Sequence, residues 1–337
     1  HDYWWQTMKK LYEFRDQVGA TSIDFLFNNA YVAEDFIICG TRGWFPEANY
    51  GPDDEKIVNR EAERLRTSIL AGLKLKDENP ELNGICRSYS LRGFSFREFL
   101  NIKAGTDIRP VTLRELQNRH ERIAKEICAR CNPLDYFEAY LHHGYYPFFL
   151  NKRNFSENLL KTMNMMIEVD VLLIYQMEQK NLNRIKKLFF LLATGGTGAP
   201  NVSQLALEVQ TSRTTIMNYI KFLGDARLLN MLYRRGEGFP KKPVRLMMHN
   251  TNLMHVMTPG QVNRQDMIET FFQSATSPKH KVSVGDRSCT FILDDKYRFR
   301  ILDEIPKRRS TDVIYVSTDK KEGEGQEIPL WMFGLIY

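Results

Sequence analysis

Residues of the types that do chemistry are thinly spread along this chain. His1-Asp2 sets an acid–base group beside a carboxylate, ahead of Tyr3, Trp4 and Trp5. Cys128-Ala-Arg-Cys131 has the spacing of half a thiolate metal site. A structural zinc needs a second pair of ligands, and His142 and His143 lack ligand spacing from that pair, so the thiols read as reduced cysteines on a helix. Gly195-Gly-Thr-Gly198 carries the glycines of a phosphate-cradling loop. Such a loop also needs a Lys directly after its last Gly, and the dipeptide Gly-Lys occurs nowhere in the chain, so these glycines read as a linker. Phe291-Ile-Leu-Asp-Asp295 ends an apolar run in acids, as a magnesium-holding strand does, but Asp294-Asp295 fits a hairpin turn better.

The elements that must position these residues belong to an ordinary globular composition. The chain has 337 residues, 43% hydrophobic and 26% charged, enough for two or three domains. The apolar runs Val169–Tyr175 and Leu188–Ala193 are far shorter than the roughly 20 residues of a membrane span, which argues against a membrane partner. A signal peptide is not expected from the first element, although a missing N-terminus would also remove one. Five sparse cysteines, Cys39, Cys86, Cys128, Cys131 and Cys289, suit a reduced, cytoplasmic setting. A net charge of +6 permits phosphate neutralisation without demanding it.

Periodicity predicts a helix over Trp4–Gln17, then extended segments Ser22–Phe27 and Tyr31–Gly40 around an Asn28-Asn29 turn. Phe36–Cys39 reads as a buried strand, Asp54–Lys74 as a charged helix, and the polar stretch that follows as a boundary. Cys86–Leu91 is a strand candidate. Ser95 with Glu98 three residues on forms a capping box that starts the next helix. Helices follow at Thr112–Cys131, Leu134–His142, Phe155–Gln179 and Leu182–Ala193. A helix at Gln261–Ala275 precedes strands Lys281–Val284, Cys289–Leu293, Tyr297–Leu302 and Asp312–Val316.

Asn201–Tyr233 carries the clearest pattern. Leu205, Ala206 and Val209 face inward on a first helix, Gln210-Thr211 turns, and Ser212 caps a second helix. Ile216, Tyr219, Ile220 and Leu223 then recur at helical spacing. This is a helix-turn-helix, and it resembles a winged helix once Leu228–Leu232 and Val244–Met248 are read as wing strands. Arg213, Thr214, Met217, Asn218 and Lys221 point outward, and Arg and Asn side chains pair with G and A edges. Arg234, Arg235, Lys241 and Lys242 at the wing tip suit phosphates. The same face could equally dock a protein or pack on a neighbouring domain.

HDYWWQTMKKL (His1–Leu11), CGTRGW (Cys39–Trp44) and DEKIVNREAERLRTSI (Asp54–Ile69) together resemble a prokaryotic branch of the calcineurin-like metallophosphoesterases. The resemblance covers about the first 75 residues and implies a two-metal centre that activates water and clamps phosphate. His1 matches the family's leaving-group acid and Asp2 the last position of its GNHD motif. The DxH, GDxxD and GHxH motifs are absent, so His1-Asp2 reads as the cut end of an interrupted motif.

RSYSLRGFSFREFL (Arg87–Leu100), HHGYYPFFL (His142–Leu150), IEVDVLLIY (Ile167–Tyr175), MMHNTNLMHVM (Met247–Met257) and IPLWMFGLIY (Ile328–Tyr337) resemble the part of a prokaryotic AAA+ ATPase family that follows its nucleotide-binding core. The resemblance implies ATP and magnesium for the intact family, but Walker A and Walker B are both missing here. It makes Arg87 a candidate arginine finger, or else a surface arginine. It also implies a restriction-endonuclease-like last domain, in which Arg300 falls at the Glu position of Glu-x-x-Lys and Glu304 near its Lys. A cation at a ligand position opposes metal binding, so Asp294, Asp295 and Asp303 read as turn and surface residues and no nuclease is expected.

The fold class expected is mixed α/β and α. A truncated α/β phosphoesterase fragment spans 1–80, a helical lid 85–198, a winged helix-turn-helix 199–250 and a small C-terminal α/β domain 251–337. The function expected is a binding module for DNA or protein, or a homo-oligomer, without complete catalytic machinery. The alternative is a phosphoesterase or ATPase whose catalytic residues lie outside these 337 residues.

Overall fold

The computed structural model describes residues 8–17, 19, 24–33, 36–40, 52–78, 92–150, 154–171 and 178–337. The chain is mixed α/β, rich in helix, with several small sheets. It divides into two compact units, His1–Leu91 and Arg92–Tyr337.

In the first unit, α1 (Met8–Gln17) precedes a hairpin of β1 (Asn29–Ala33) and β2 (Phe36–Gly40), with α2 (Pro52–Glu78) packed on it. The pairing Ala33↔Phe36 corrects the expected reversal at Asn28-Asn29. Asn28 instead takes a left-handed φ of 59° at the entrance to β1, a conformation Asn tolerates. The expected burial of Phe36–Cys39 is also corrected, because Ile38 and Cys39 are exposed. The helix α2 runs to Glu78, through the start of the expected boundary, on a run of good helix formers. Ser68 ties it to the hairpin by donating to the Asn29 carbonyl at 2.9 Å.

The second unit begins with α3 (Phe96–Ala104), where Ser95 Oγ accepts from the Glu98 N–H and the Glu98 carboxylate accepts from the Ser95 N–H. A Thr112–Glu115 capping box starts α4 (Leu113–Cys128) in the same way. Next come α5 (Leu134–His143) and α6 (Phe155–Met165). The expected helix Phe155–Gln179 is interrupted, passing at Met166–Val171 into a π-helical turn. Then follow α7 (Leu182–Thr194), α8 (Val202–Val209), α9 (Arg213–Asp225), and an antiparallel pair of β3 (Leu229–Leu232) and β4 (Arg245–Met248). Two helices, α10 (Thr251–Met257) and α11 (Arg264–Thr276), lead into a five-stranded sheet. Its strands are β5 (Val282–Val284), β6 (Phe291–Leu293), β7 (Tyr297–Leu302), β8 (Val313–Ser317) and β9 (Glu327–Pro329). They lie in sequence order, antiparallel from β5 to β7 and parallel from β7 to β9.

The core of this unit is closed by its last residues. Leu330–Leu335 forms a buried 3-10 turn, with Trp331 and Phe333 fully enclosed. Phe272 of α11 stacks on Phe291 of β6 with ring centroids 5.5 Å apart and meets Phe333 at 4.7 Å. Val111 N–H donates to the Leu335 carbonyl at 2.9 Å, and Tyr337 Oη donates to the Gly93 carbonyl at 2.8 Å. Gly334 permits this closure: a Cβ there would lie 2.5 Å from the Cβ of Phe96. Burying each such aromatic side chain contributes about 2–3 kcal/mol, so the two ends of the unit stabilise one another.

Candidate nucleic-acid interface

The α8–α9 pair is built by two caps and one left-handed residue. Asn201 Oδ1 accepts from the Gln204 N–H at 3.2 Å and starts α8. Gln210 then takes φ 56°, and the Thr211 N–H returns to the Ala206 carbonyl at 2.9 Å. Ser212 Oγ accepts from the Thr215 N–H at 3.0 Å and starts α9. Val202, Ala206 and Val209 are buried on α8, while Leu205 is only half-buried. Ile216, Tyr219, Ile220 and Leu223 are the buried face of α9.

That burial leaves Arg213, Thr214 and Asn218 exposed on the other face of α9. Arg213 makes no ion pair among the described residues. The outward placement of Met217 is corrected: it is half-buried against the core, because its position borders the Tyr219–Ile220 stripe. Lys221 is outward but not free. Its ammonium pairs with Asp225 one helical turn on, at 2.6 Å, and lies 5.7 Å from the Phe239 ring centroid. The Lys-to-Asp spacing of four was itself a readable signal for that pair.

The loop between β3 and β4 carries Arg234, Arg235, Lys241 and Lys242, all exposed. Arg235 approaches Asp295 at 3.8 Å and Lys241 pairs with Glu237 at 3.3 Å. Arg234 and Lys242 have no ion pair among the described residues. Exposed pairs of this kind are worth about 0–1 kcal/mol, so a phosphate can displace either carboxylate.

The other candidate residues are not assembled into a centre. His1, Asp2 and Arg87 lie outside the described residues, as do Thr41–Trp44 and the strand candidate Cys86–Leu91. Cys128 and Cys131 are free, half-buried thiols whose pKa values burial raises, which disfavours thiolate. Asp294 and Asp295 occupy the β6–β7 turn with φ of 53° and 57°. Arg300 is half-buried on β7 and Glu304 is exposed beyond it. Among the described residues, no group of three or more His, Cys, Asp or Glu is placed to hold a metal, and no helix is long and apolar enough to cross a membrane.

The reading of Gly195–Gly198 as a linker is corrected. Thr197 is buried, its hydroxyl donating to Asp266 while Arg245 donates to the same hydroxyl at 2.8 Å. A hydroxyl so committed does not fit the magnesium-binding role that a phosphate loop gives its Ser or Thr. No family model, no curated protein and no solved structure matches this chain.

Proposed function

We propose that this chain is a binding module for double-stranded DNA, with α8–α9 and β3–β4 acting as a winged helix. Its segment resemblances support a larger setting, in which the lid, winged helix and C-terminal domain of an AAA+ ATPase-family protein follow a metallophosphoesterase fragment. The observation that carries the binding role is the outward face of α9, where Arg213, Thr214 and Asn218 stand exposed on a capped, well-buried helix. Arg can bridge G O6 and N7 and Asn can bridge A N6 and N7, so this face suits a major groove. Arg234, Arg235, Lys241 and Lys242 would neutralise phosphates beside it. The test is duplex binding by fluorescence anisotropy across a salt series. Affinity for a preferred duplex should fall with salt, and Arg213→Ala should weaken it. Affinity that ignores salt and Arg213→Ala would overturn the reading.

A protein partner is the second reading, and Leu207 favours it. This side chain on α8 is 79% exposed, the most exposed of the large hydrophobics among the described residues. If a second copy of this chain covers it, sedimentation should show a concentration-dependent dimer that Leu207→Ser dissolves.

A further inference from the structure

We infer that the phosphate-contacting surface extends beyond the wing onto the C-terminal sheet, through Lys279, Lys281 and Lys296, so that one duplex is tracked by both. This rests on the DNA-binding reading of α9. The join between the two parts is specific. The Val284 N–H of β5 donates to the Tyr233 carbonyl at the end of β3, at 2.9 Å. The start of the wing loop is therefore fixed against the first strand of the sheet.

Asp295 is where the two sets of cations meet. Arg235 from the wing loop reaches its Oδ1 at 3.8 Å, and Lys281 from the sheet reaches its Oδ2 at 2.9 Å. One carboxylate cannot neutralise both. The neighbouring Asp294 is occupied otherwise, accepting from the Lys281 N–H at 2.9 Å and meeting His280 Nδ1 at 2.7 Å. Arg234, Lys279 and Lys296 stand exposed beside these groups in the sequence. The Lys296 ammonium lies 4.8 Å from the Tyr297 ring centroid, a cation–π contact that holds the charge in place at an exposed position. Arg234, Arg235, Lys279, Lys281 and Lys296 together outnumber Asp294 and Asp295.

The chemistry of this extension is that of backbone contact. Its added cations are lysines, point charges without the planar fork that reads a base edge. They would raise affinity for any duplex sequence alike and add to the salt dependence, with each phosphate neutralised steepening the log–log slope by about 0.9.

The test uses the full chain and two opposed variants on a duplex of about three helical turns. Lys279→Ala/Lys281→Ala/Lys296→Ala should flatten the salt slope by about 2–3 and weaken binding at low salt, with the order of preferred sequences unchanged. Asp295→Asn frees Arg235 and Lys281 and should tighten binding several-fold. Asn tolerates the left-handed φ of 57° at this position, so the fold should survive. A general loss of folding cannot produce that gain. If the triple variant keeps the wild-type slope and Asp295→Asn the wild-type affinity, the extension is wrong while the α9 reading stands. If the wild-type chain binds no duplex at any salt, both fall.

Discussion

Arg245 holds Thr197 at two points, its Nη2 donating to the Thr197 hydroxyl at 2.8 Å and its Nε to the Thr197 carbonyl at 3.1 Å. The same guanidinium pairs with Glu269, whose side chain is only 9% exposed, and lies over the Phe291 ring. One residue of β4 thus fastens the α7–α8 connection to α11 and the sheet. Removing a partner from a largely buried pair leaves an uncompensated charge at a cost of about 3–5 kcal/mol. Arg245→Ala should lower unfolding stability by that order in urea titration. Thr197→Ala, which removes only the hydroxyl, should cost about 1 kcal/mol. Equal, small effects from both would show that the anchor does not matter.

Asn252 of α10 fills the end of α5 in a comparable way. Its Nδ2 donates to the Tyr140 carbonyl at 3.0 Å and the Leu141 carbonyl at 2.9 Å, and its Oδ1 accepts from the Tyr145 N–H at 2.8 Å. The residue is fully buried, so bulk water does not reach these groups in the folded chain. Asn252→Ala orphans the Leu141 carbonyl and the Tyr145 N–H, while the Tyr140 carbonyl keeps the Gly144 N–H at 2.8 Å, and it should cost about 3 kcal/mol. Asn252→Asp should do no better, because it sets a carboxylate oxygen against two carbonyls. A midpoint of thermal unfolding within a degree of wild type in either variant would refute this.

Two histidines make the fold acid-sensitive. Burial, reinforced by Arg92 and Arg227, lowers the His249 pKa from 6.5 to about 4. Burial and the neighbouring His142 and His143 lower His255 likewise to about 4. Between those values the unfolded chain binds more protons than the folded one. Stability should therefore fall as pH drops from about 6.5 to about 4, with no further loss from these groups below. For His249 alone the effect is on the order of 3 kcal/mol. His249→Gln should flatten the stability profile measured between pH 7 and pH 4; a profile as steep as wild type would assign the loss to other groups.

What the sequence disclosed was local, and what it hid was distant. Ser95 and Glu98 are three residues apart, and their reciprocal hydrogen bonds were readable from type and spacing. Ile216, Tyr219, Ile220 and Leu223 declared the buried face of α9 by period alone. Thr197 looked like part of a glycine linker because its partners, Asp266 and Arg245, are 69 and 48 residues away. Asn28 misled for a different reason: its side chain favours a left-handed backbone, which a turn and a strand entrance both use. The helices and strands around the candidate interface were legible. The Lys221–Asp225 pair was readable too, at a spacing of four, but outward position alone does not reveal a neutralised charge. The meeting of Arg235 and Lys281 at Asp295 was not, because it joins segments roughly sixty residues apart across a turn whose Asp pair reads only as a hairpin.

That distinction between outward and available makes the sharpest prediction for the proposed interface. Arg213 and Asn218 are exposed on α9, whereas Lys221 already holds Asp225 at 2.6 Å. A base-reading pair is worth about 1–3 kcal/mol, so Arg213→Ala and Asn218→Ala should each weaken binding to a preferred duplex by roughly five- to a hundredfold. Their affinities for other sequences should change little. Lys221→Ala removes a cation whose charge is locally cancelled and should change affinity less than threefold. Asp225→Ala should do the reverse, freeing Lys221 and steepening the salt slope by about 0.9. Selection of preferred duplexes followed by anisotropy on the four variants separates these effects. If Lys221→Ala costs as much as Arg213→Ala, the Lys221–Asp225 pair opens on binding and the face of α9 engages as a uniform basic surface.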